Sequence, residues 1–342
     1  KSMAANMLTA YYSRGCDSRE LFQGLKIATH PNFEKHLNQY NVIHLNMQNF
    51  LSKTQTIEQM IALVTKAVGR DLLRAYPDAD YLDKTILTFM LDDIYQDCQV
   101  PFIFIIDEWD CIFRSRKNQL EEQTKYLDFL RDLLKDKSYI ALAYMTGILP
   151  IKKYGEHSAI NVFYEYSMTD ASPIEEFTGF TEQEVRQLCE QYNMPFSETK
   201  KWYDGYCVDG VSIYNPKSVV EAMLRGKFSN YWTQTETYEA LKIYIQSNEF
   251  GVQDVILKLL AGEKEKIDTT TFSNDMVTFA TKDDVLTLLV HLGYLTYDAE
   301  TKEIWIPNDE VMEQFISTVK VMGWGSVVTA LETSEKLLQA TL

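Results

Sequence analysis

Phe102-Ile103-Phe104-Ile105-Ile106-Asp107-Glu108-Trp109-Asp110 begins with five large apolar residues without alternation and ends in acids. An uninterrupted apolar run of this length reads as a strand buried on both faces, the signature of a parallel sheet. The acids stand where that strand ends. Carboxylates at the edge of a core are costly unless something pairs them. One bland use is available, because an Asp at a strand end also caps the following helix. A second is the Walker B arrangement, in which the first acid (Asp107) holds Mg²⁺ and the adjacent one (Glu108) orients or deprotonates an attacking water.

The start of the chain favours the second use. Lys1-Ser2 leads into Met3-Ala4-Ala5-Asn6-Met7-Leu8-Thr9-Ala10, a helix-forming stretch with Met3, Met7 and Ala10 on one face. A Lys-Ser pair at the mouth of a helix is the end of a phosphate-cradling Walker A loop, G-x-x-x-x-G-K-[ST]. With no initiator Met, the native protein is expected to extend upstream and to carry the loop glycines there. Lys1-Ser2 alone is a chance pair. Together with Asp107-Glu108 it makes a coherent nucleotide site.

Apolar and amphipathic segments alternate around the central run. Residues 40–47 read as a strand, 56–74 and 84–98 as helices, 119–135 as a charged amphipathic helix, and 139–147 as a second buried strand ending in Thr146-Gly147. That alternation predicts a parallel α/β sheet with helices on both faces and ligands at the carboxyl ends of the strands. Thr146 would there be a polar sensor for a γ-phosphate or a water; a plain strand terminus with a turn glycine is the other reading. His44, flanked by apolar neighbours, reads as a satisfied core histidine rather than a ligand.

From about residue 175 the character becomes helical. Thr181-Glu182-Gln183-Glu184 is a capping box, and Pro216 after Asn215 suits a first helical turn. The aromatic strings Trp202-Tyr203-Asp204-Gly205-Tyr206 and Asn230-Tyr231-Trp232 are interleaved with acids more than with bases. They read as packing of a lid on the core rather than as base-stacking platforms. Residues 253–310 show a helix to Leu260, a helix from Lys282 to Leu292 and a hairpin, the pattern of a winged helix. Its helix is apolar and acidic, and its hairpin carries Asp298, Glu300 and Glu303 against Lys302. Duplex DNA is therefore not expected as its ligand. Tyr294, Ile304 and Trp305 are expected to supply packing contacts instead.

The 342 residues hold 46% hydrophobic and 13% aromatic residues, enough for a real core in two or three domains. Lys and Arg number 33 against 49 Asp and Glu, a net charge of −16 that disfavours wrapping nucleic acid over the whole surface. Five dispersed cysteines without a C-x-x-C pair suggest reduced thiols in a cytoplasmic protein. No apolar run reaches membrane-spanning length, and no His/Cys/Asp cluster has metal-ligand spacing.

The chain resembles a bacterial family of predicted AAA-ATPase-like proteins that carry a C-terminal PD-(D/E)XK nuclease-like domain. The matching residues are Lys1-Ser2, Ile106-Asp107-Glu108-Trp109-Asp110, Met145-Thr146-Gly147, Gly179-Phe180-Thr181-Glu182-Gln183-Glu184, Trp202-Tyr203-Asp204-Gly205-Tyr206, Tyr214-Asn215-Pro216-Lys217-Ser218-Val219 and Asn230-Tyr231-Trp232-Thr233-Gln234-Thr235. The resemblance implies an AAA-like P-loop NTPase core at 1–175, a helical lid at 176–250 and a winged-helix-like module at 251–342. It departs from the family in lacking the loop glycines, and the nuclease-like domain would follow Leu342.

The expected function is ATP binding with Mg²⁺-dependent hydrolysis that moves the lid and module. Lys1 would contact the phosphates, Ser2 and Asp107 would hold Mg²⁺, Glu108 would orient water and Thr146 would sense the γ-phosphate. Two rivals stand beside it: a regulatory nucleotide-binding module with little turnover, and the ATPase half of a DNA-processing nuclease. Arg114 and Arg116 are candidate arginine fingers. Expected partners are nucleotide, a protein partner or a further copy of the chain, and nucleic acid only if a nuclease domain follows; no membrane is expected.

Overall fold

The apolar run forms β2 (Phe102–Asp107) at the centre of a parallel sheet ordered β1-β2-β3, with β1 at Asn41–Asn46 and β3 at Ile140–Met145. The structure, a computed structural model, describes residues 1–116, 119–148, 162–232, 249–272 and 279–321. These residues divide into two compact units, one within Lys1–Phe163 and the other from Tyr164 onward.

In the first unit every residue of β2 is buried. Ile103 and Ile105 pack with Ala5 of helix α1 (Ser2–Tyr12). The alternate residues Phe102 and Phe104 meet the ring of Tyr139. Both faces are therefore covered, which is why the run is apolar without alternation. Short helices α2 (Phe33–His36) and α3 (Met47–Leu51) flank β1 in sequence. Helix α4 (Ile57–Ala75) starts at Thr56, whose hydroxyl accepts from the Gln59 N–H, and buries Met60, Val64, Val68 and Leu72 along one stripe. Helix α5 (Leu87–Cys98) precedes β2, and α6 (Cys111–Ser115) and α7 (Leu120–Leu134) follow it.

Two sequence expectations need correcting. Strand β3 is not buried like β2: it has one sheet neighbour among the described strands, and Leu142 is 38% exposed. His44 is not a core residue either. Strand β1 is the other outer strand of this sheet, and its burial alternates so that His44 is exposed, with Nδ1 3.2 Å from the Thr9 hydroxyl.

The second unit holds two antiparallel sheets, β4-β6-β5 and β7-β9-β8. The first sheet comprises β4 (Phe180–Thr181), β5 (Tyr206–Val208) and β6 (Val211–Tyr214). Around it lie α8 (Glu182–Tyr192), α9 (Phe196–Tyr203) and α10 (Pro216–Arg225). The Thr181/Glu184 capping box forms, and Asn215 caps α10 with Pro216 in its first turn. The second sheet comprises β7 (Glu265–Lys266), β8 (Thr296–Asp298) and β9 (Glu303–Trp305). Helix α11 (Val252–Leu260) precedes it, α12 (Lys282–His291) lies between β7 and β8, and α13 (Asp309–Val321) follows.

The aromatic strings join these parts of one unit. Glu310 is buried and accepts from the N–H groups of Tyr231 (2.7 Å) and Trp232 (2.9 Å). Trp232 meets Tyr294 edge-on at 4.7 Å, and the Tyr206 hydroxyl donates to the Gly293 carbonyl. Gly205 has φ +105°, and a Cβ there would stand 2.0 Å from the Pro307 carbonyl oxygen, so only glycine fits. Within α12, Val285 to Val290 are all buried. The Thr233–Thr235 end of the Asn230 string lies outside the described residues.

His291 ends α12 against Phe272, and burial pushes its pKa down to about 4. The unfolded chain then binds a proton that the folded chain refuses between about pH 6.5 and pH 4. Stability is full above that window and is lost as pH falls through it, by about 2–3 kcal/mol. His291→Leu should flatten this part of the stability–pH curve, as urea unfolding at pH 7 and pH 4.5 would reveal. An unchanged slope would show that His291 does not carry the effect.

Candidate functional site

Sheet register brings three polar strand ends together. Asn46 pairs with Asp107 across β1 and β2, and Ile106 pairs with Met145 across β2 and β3, so Thr146 follows directly beside Asp107. Asp107 is only 2% exposed. Its Oδ1 accepts from the Thr146 hydroxyl and from the Glu108 N–H (3.1 Å), while Asn46 Nδ2 lies 3.5 Å from Oδ2. Burial raises the Asp107 pKa, but hydrogen bonds from Ser2, Thr146 and the Glu108 N–H outweigh it, and the carboxyl is held below its ordinary value. Asp107 is thus an anion at neutral pH in a nearly closed place.

Lys1 and Ser2 arrive from the other end of the sequence because α1 packs on β2. Lys1 is the N-cap of α1 and makes no side-chain cap, and the first turn contains no acid. The first N–H groups of this helix therefore receive no side-chain cap. Lys1 is exposed as a whole residue, yet its ammonium is desolvated. That desolvation pushes its pKa down, Asp110, Glu108 and Asp107 pull it back up, and Arg114 adds to the lowering. The five residues singled out in the sequence, Lys1, Ser2, Asp107, Glu108 and Thr146, are all brought to the carboxyl end of the sheet.

Glu108 turns the chain off the strand with φ +55°, a left-handed conformation that non-glycine residues adopt rarely. Its carboxylate is ion-paired with Arg114 of α6. Arg114 Nε also lies 3.5 Å from Oδ2 of Asp110, which is fully buried and accepts from the Ile148 N–H at 2.9 Å. The Trp109 N–H donates to the Thr146 carbonyl (3.0 Å), and the buried Tyr126 hydroxyl donates to the Trp109 carbonyl (2.8 Å). These bonds tie the turn after β2 to the end of β3. Gly147 permits the approach: a Cβ there would stand 2.6 Å from Trp109 Nε1.

Sequence reasoning missed four contributors. Asn46 could have been found from strand register. Asp110 lay in the quoted stretch without a role. Trp109 and Gly147 form a matched pair whose contact no local pattern announces. Of the two candidate fingers, Arg114 is engaged by Glu108 and Asp110, and Arg116 donates to the Gln55 carbonyl at 2.6 Å.

No group of three or more His, Cys, Asp or Glu suited to a metal occurs among the described residues. Oxygen donors at this strand end include Asp107, Ser2 and Thr146. Such a sparse set suits a hard cation that keeps waters and takes further oxygens from substrate phosphates. All five cysteines are free, and burial pushes the Cys111 thiol up to about 12, so that thiol is inert. Among the described residues no helix is long and apolar enough to cross a membrane.

An uncharacterized protein in the vnfD 5′ region of Azotobacter chroococcum mcd 1 is 26% identical over 141 residues, 40% of this chain. The match spans 27% of that relative's own length. Residues 1–155 of this chain, which contain Lys1, Ser2, Asp107, Glu108 and Thr146, match the family described as predicted AAA-ATPase.

Proposed function

We propose that this chain binds ATP with Mg²⁺ at the carboxyl end of its parallel sheet and hydrolyses it. The observation that carries the reading is the convergence of a helix-opening Lys1-Ser2 with a buried, anionic Asp107. The uncapped start of α1 and the Lys1 ammonium suit phosphate oxygens. Asp107 and the Ser2 hydroxyl suit Mg²⁺, which when bound would neutralise charge developing on the transferred phosphoryl oxygens. Thr146 and Asn46 hold Asp107 in place, and the Thr146 hydroxyl stands near enough to this carboxylate to report on what occupies it. Glu108 orients the attacking water and takes its proton, once it is free of Arg114. We further propose that 176–250 acts as a lid and 251–342 as a winged-helix-like module, on the strength of the capped helices and the β7-β9-β8 order around α12.

The Glu108–Arg114 ion pair favours a second reading, a nucleotide-binding regulator with little turnover, because it occupies the carboxylate that hydrolysis needs. Phosphate release at saturating Mg²⁺-ATP separates the two. Turnover of about 0.1 s⁻¹ or faster supports the ATPase. A rate on the order of 10⁻³ s⁻¹ or lower, comparable with an unassisted GTPase, supports the regulator. In the second case Arg114→Gln should raise the rate.

A further inference from the structure

Away from the carboxyl end of the sheet, α4 carries Lys66, Arg70 and Arg74 at four-residue spacing, so they form one row on the helix surface. They line a cavity of about 660 Å³ together with Lys84, which makes four cations around one hollow in a chain of net charge −16. Like charges at that spacing repel one another along a helix. Among the described residues neither Lys66 nor Arg74 has a carboxylate partner, and Arg70 has only the exposed Asp71 at 3.0 Å. Lys84 lies over the Tyr81 ring at 5.5 Å.

Gly69 sits in the neighbouring row of the same helix and lines the hollow. Glycine inside a helix is unfavourable. Here the Met90 sulfur stands 3.5 Å from where a Cβ would be, so the missing side chain lets α5 close on α4. Leu73 adds an apolar wall. The hollow belongs to the half of α4 that leads to Tyr76, whose hydroxyl donates to Asn41 at the start of β1. Asp107 lies level with Asn46, at the opposite end of that strand.

We propose that this hollow is a second, non-catalytic site that binds a phosphorylated small molecule. The cations would meet its phosphates, and Leu73 would take its less polar part. The volume falls within the roughly 300–1,000 Å³ usual for small-ligand pockets. A long nucleic acid would also meet a chain of net charge −16.

The test is calorimetric titration of the chain with inorganic tripolyphosphate in the absence of Mg²⁺. Three proteins are compared: wild type, Lys66→Glu/Arg70→Glu, and Lys1→Ala. Both α4 side chains are exposed, so the double variant should fold, which circular dichroism checks. Saturable binding that survives Lys1→Ala and weakens at least tenfold in the double variant is expected. Absent wild-type binding, equal affinity in the double variant, or a loss confined to Lys1→Ala would each overturn the proposal. A single-stranded oligonucleotide that binds more tightly than tripolyphosphate, with the same dependence on Lys66 and Arg70, would also overturn it and assign the face to nucleic acid.

Discussion

Glu108→Gln should abolish ATP hydrolysis while leaving nucleotide binding within a few-fold of wild type. The amide keeps the size of the side chain and can still accept from Arg114, but it cannot take a proton from water. Loss of a positioned general base typically costs about 10²–10⁴ in rate. Glu108 stands one residue beyond Asp107, turned off the strand by its left-handed backbone, so the two carboxylates lie in different surroundings. Single-turnover phosphate release and equilibrium nucleotide binding, measured on the same preparation, separate the two effects. Hydrolysis at the wild-type rate in Glu108→Gln would remove Glu108 from the chemistry.

Asp110→Ala should strike stability. Its carboxylate has no exposed surface, accepts from the Ile148 N–H at 2.9 Å and lies 3.5 Å from Arg114 Nε. Truncation leaves the Ile148 donor without that acceptor and Arg114 with one carboxylate instead of two. Breaking a buried pair by removing one member costs about 3 kcal/mol or more. For a unit of this size that lowers the melting temperature by roughly 6–12 °C. Asp110→Asn, which keeps an acceptor for Ile148, should lose less. A melting temperature for Asp110→Ala within 1–2 °C of wild type, by the ~2–4 °C per kcal/mol of such units, would show that the cluster adds little.

Much of the carboxyl end of the sheet was legible because its signals are local. The run 102–106 has no polar residue to offer an exposed face, so its burial follows from composition. Lys1-Ser2 and Asp107-Glu108 carry their chemistry in adjacent residues. The Thr181–Glu184 capping box and Pro216 were legible for the same reason. What failed was neighbour count. The apolar sequence of β3 does not disclose that it has one sheet partner among the described strands, and the apolar neighbours of His44 do not disclose that its own face is open. The Glu108–Arg114–Asp110 cluster depends on a left-handed residue and one turn of helix, which residue spacing alone does not predict. The Asn230-Tyr231-Trp232 string was recognisable, but its partner Glu310 is 79 residues beyond Tyr231. Its use as a clasp within the second unit could not be read locally.

The measurement that bears most directly on the nucleotide-site reading is calorimetric titration of Mg²⁺-ATP into wild type and Asp107→Asn. The amide preserves the shape beside Thr146 and Asn46 but removes the charge that would hold the cation. One saturable site is predicted in wild type, strengthened by Mg²⁺, with at least a tenfold loss of that Mg²⁺-dependent affinity in Asp107→Asn. Equal Mg²⁺-dependent affinity in the two proteins, or no ATP binding by wild type, would contradict the assignment of this strand end as a nucleotide site.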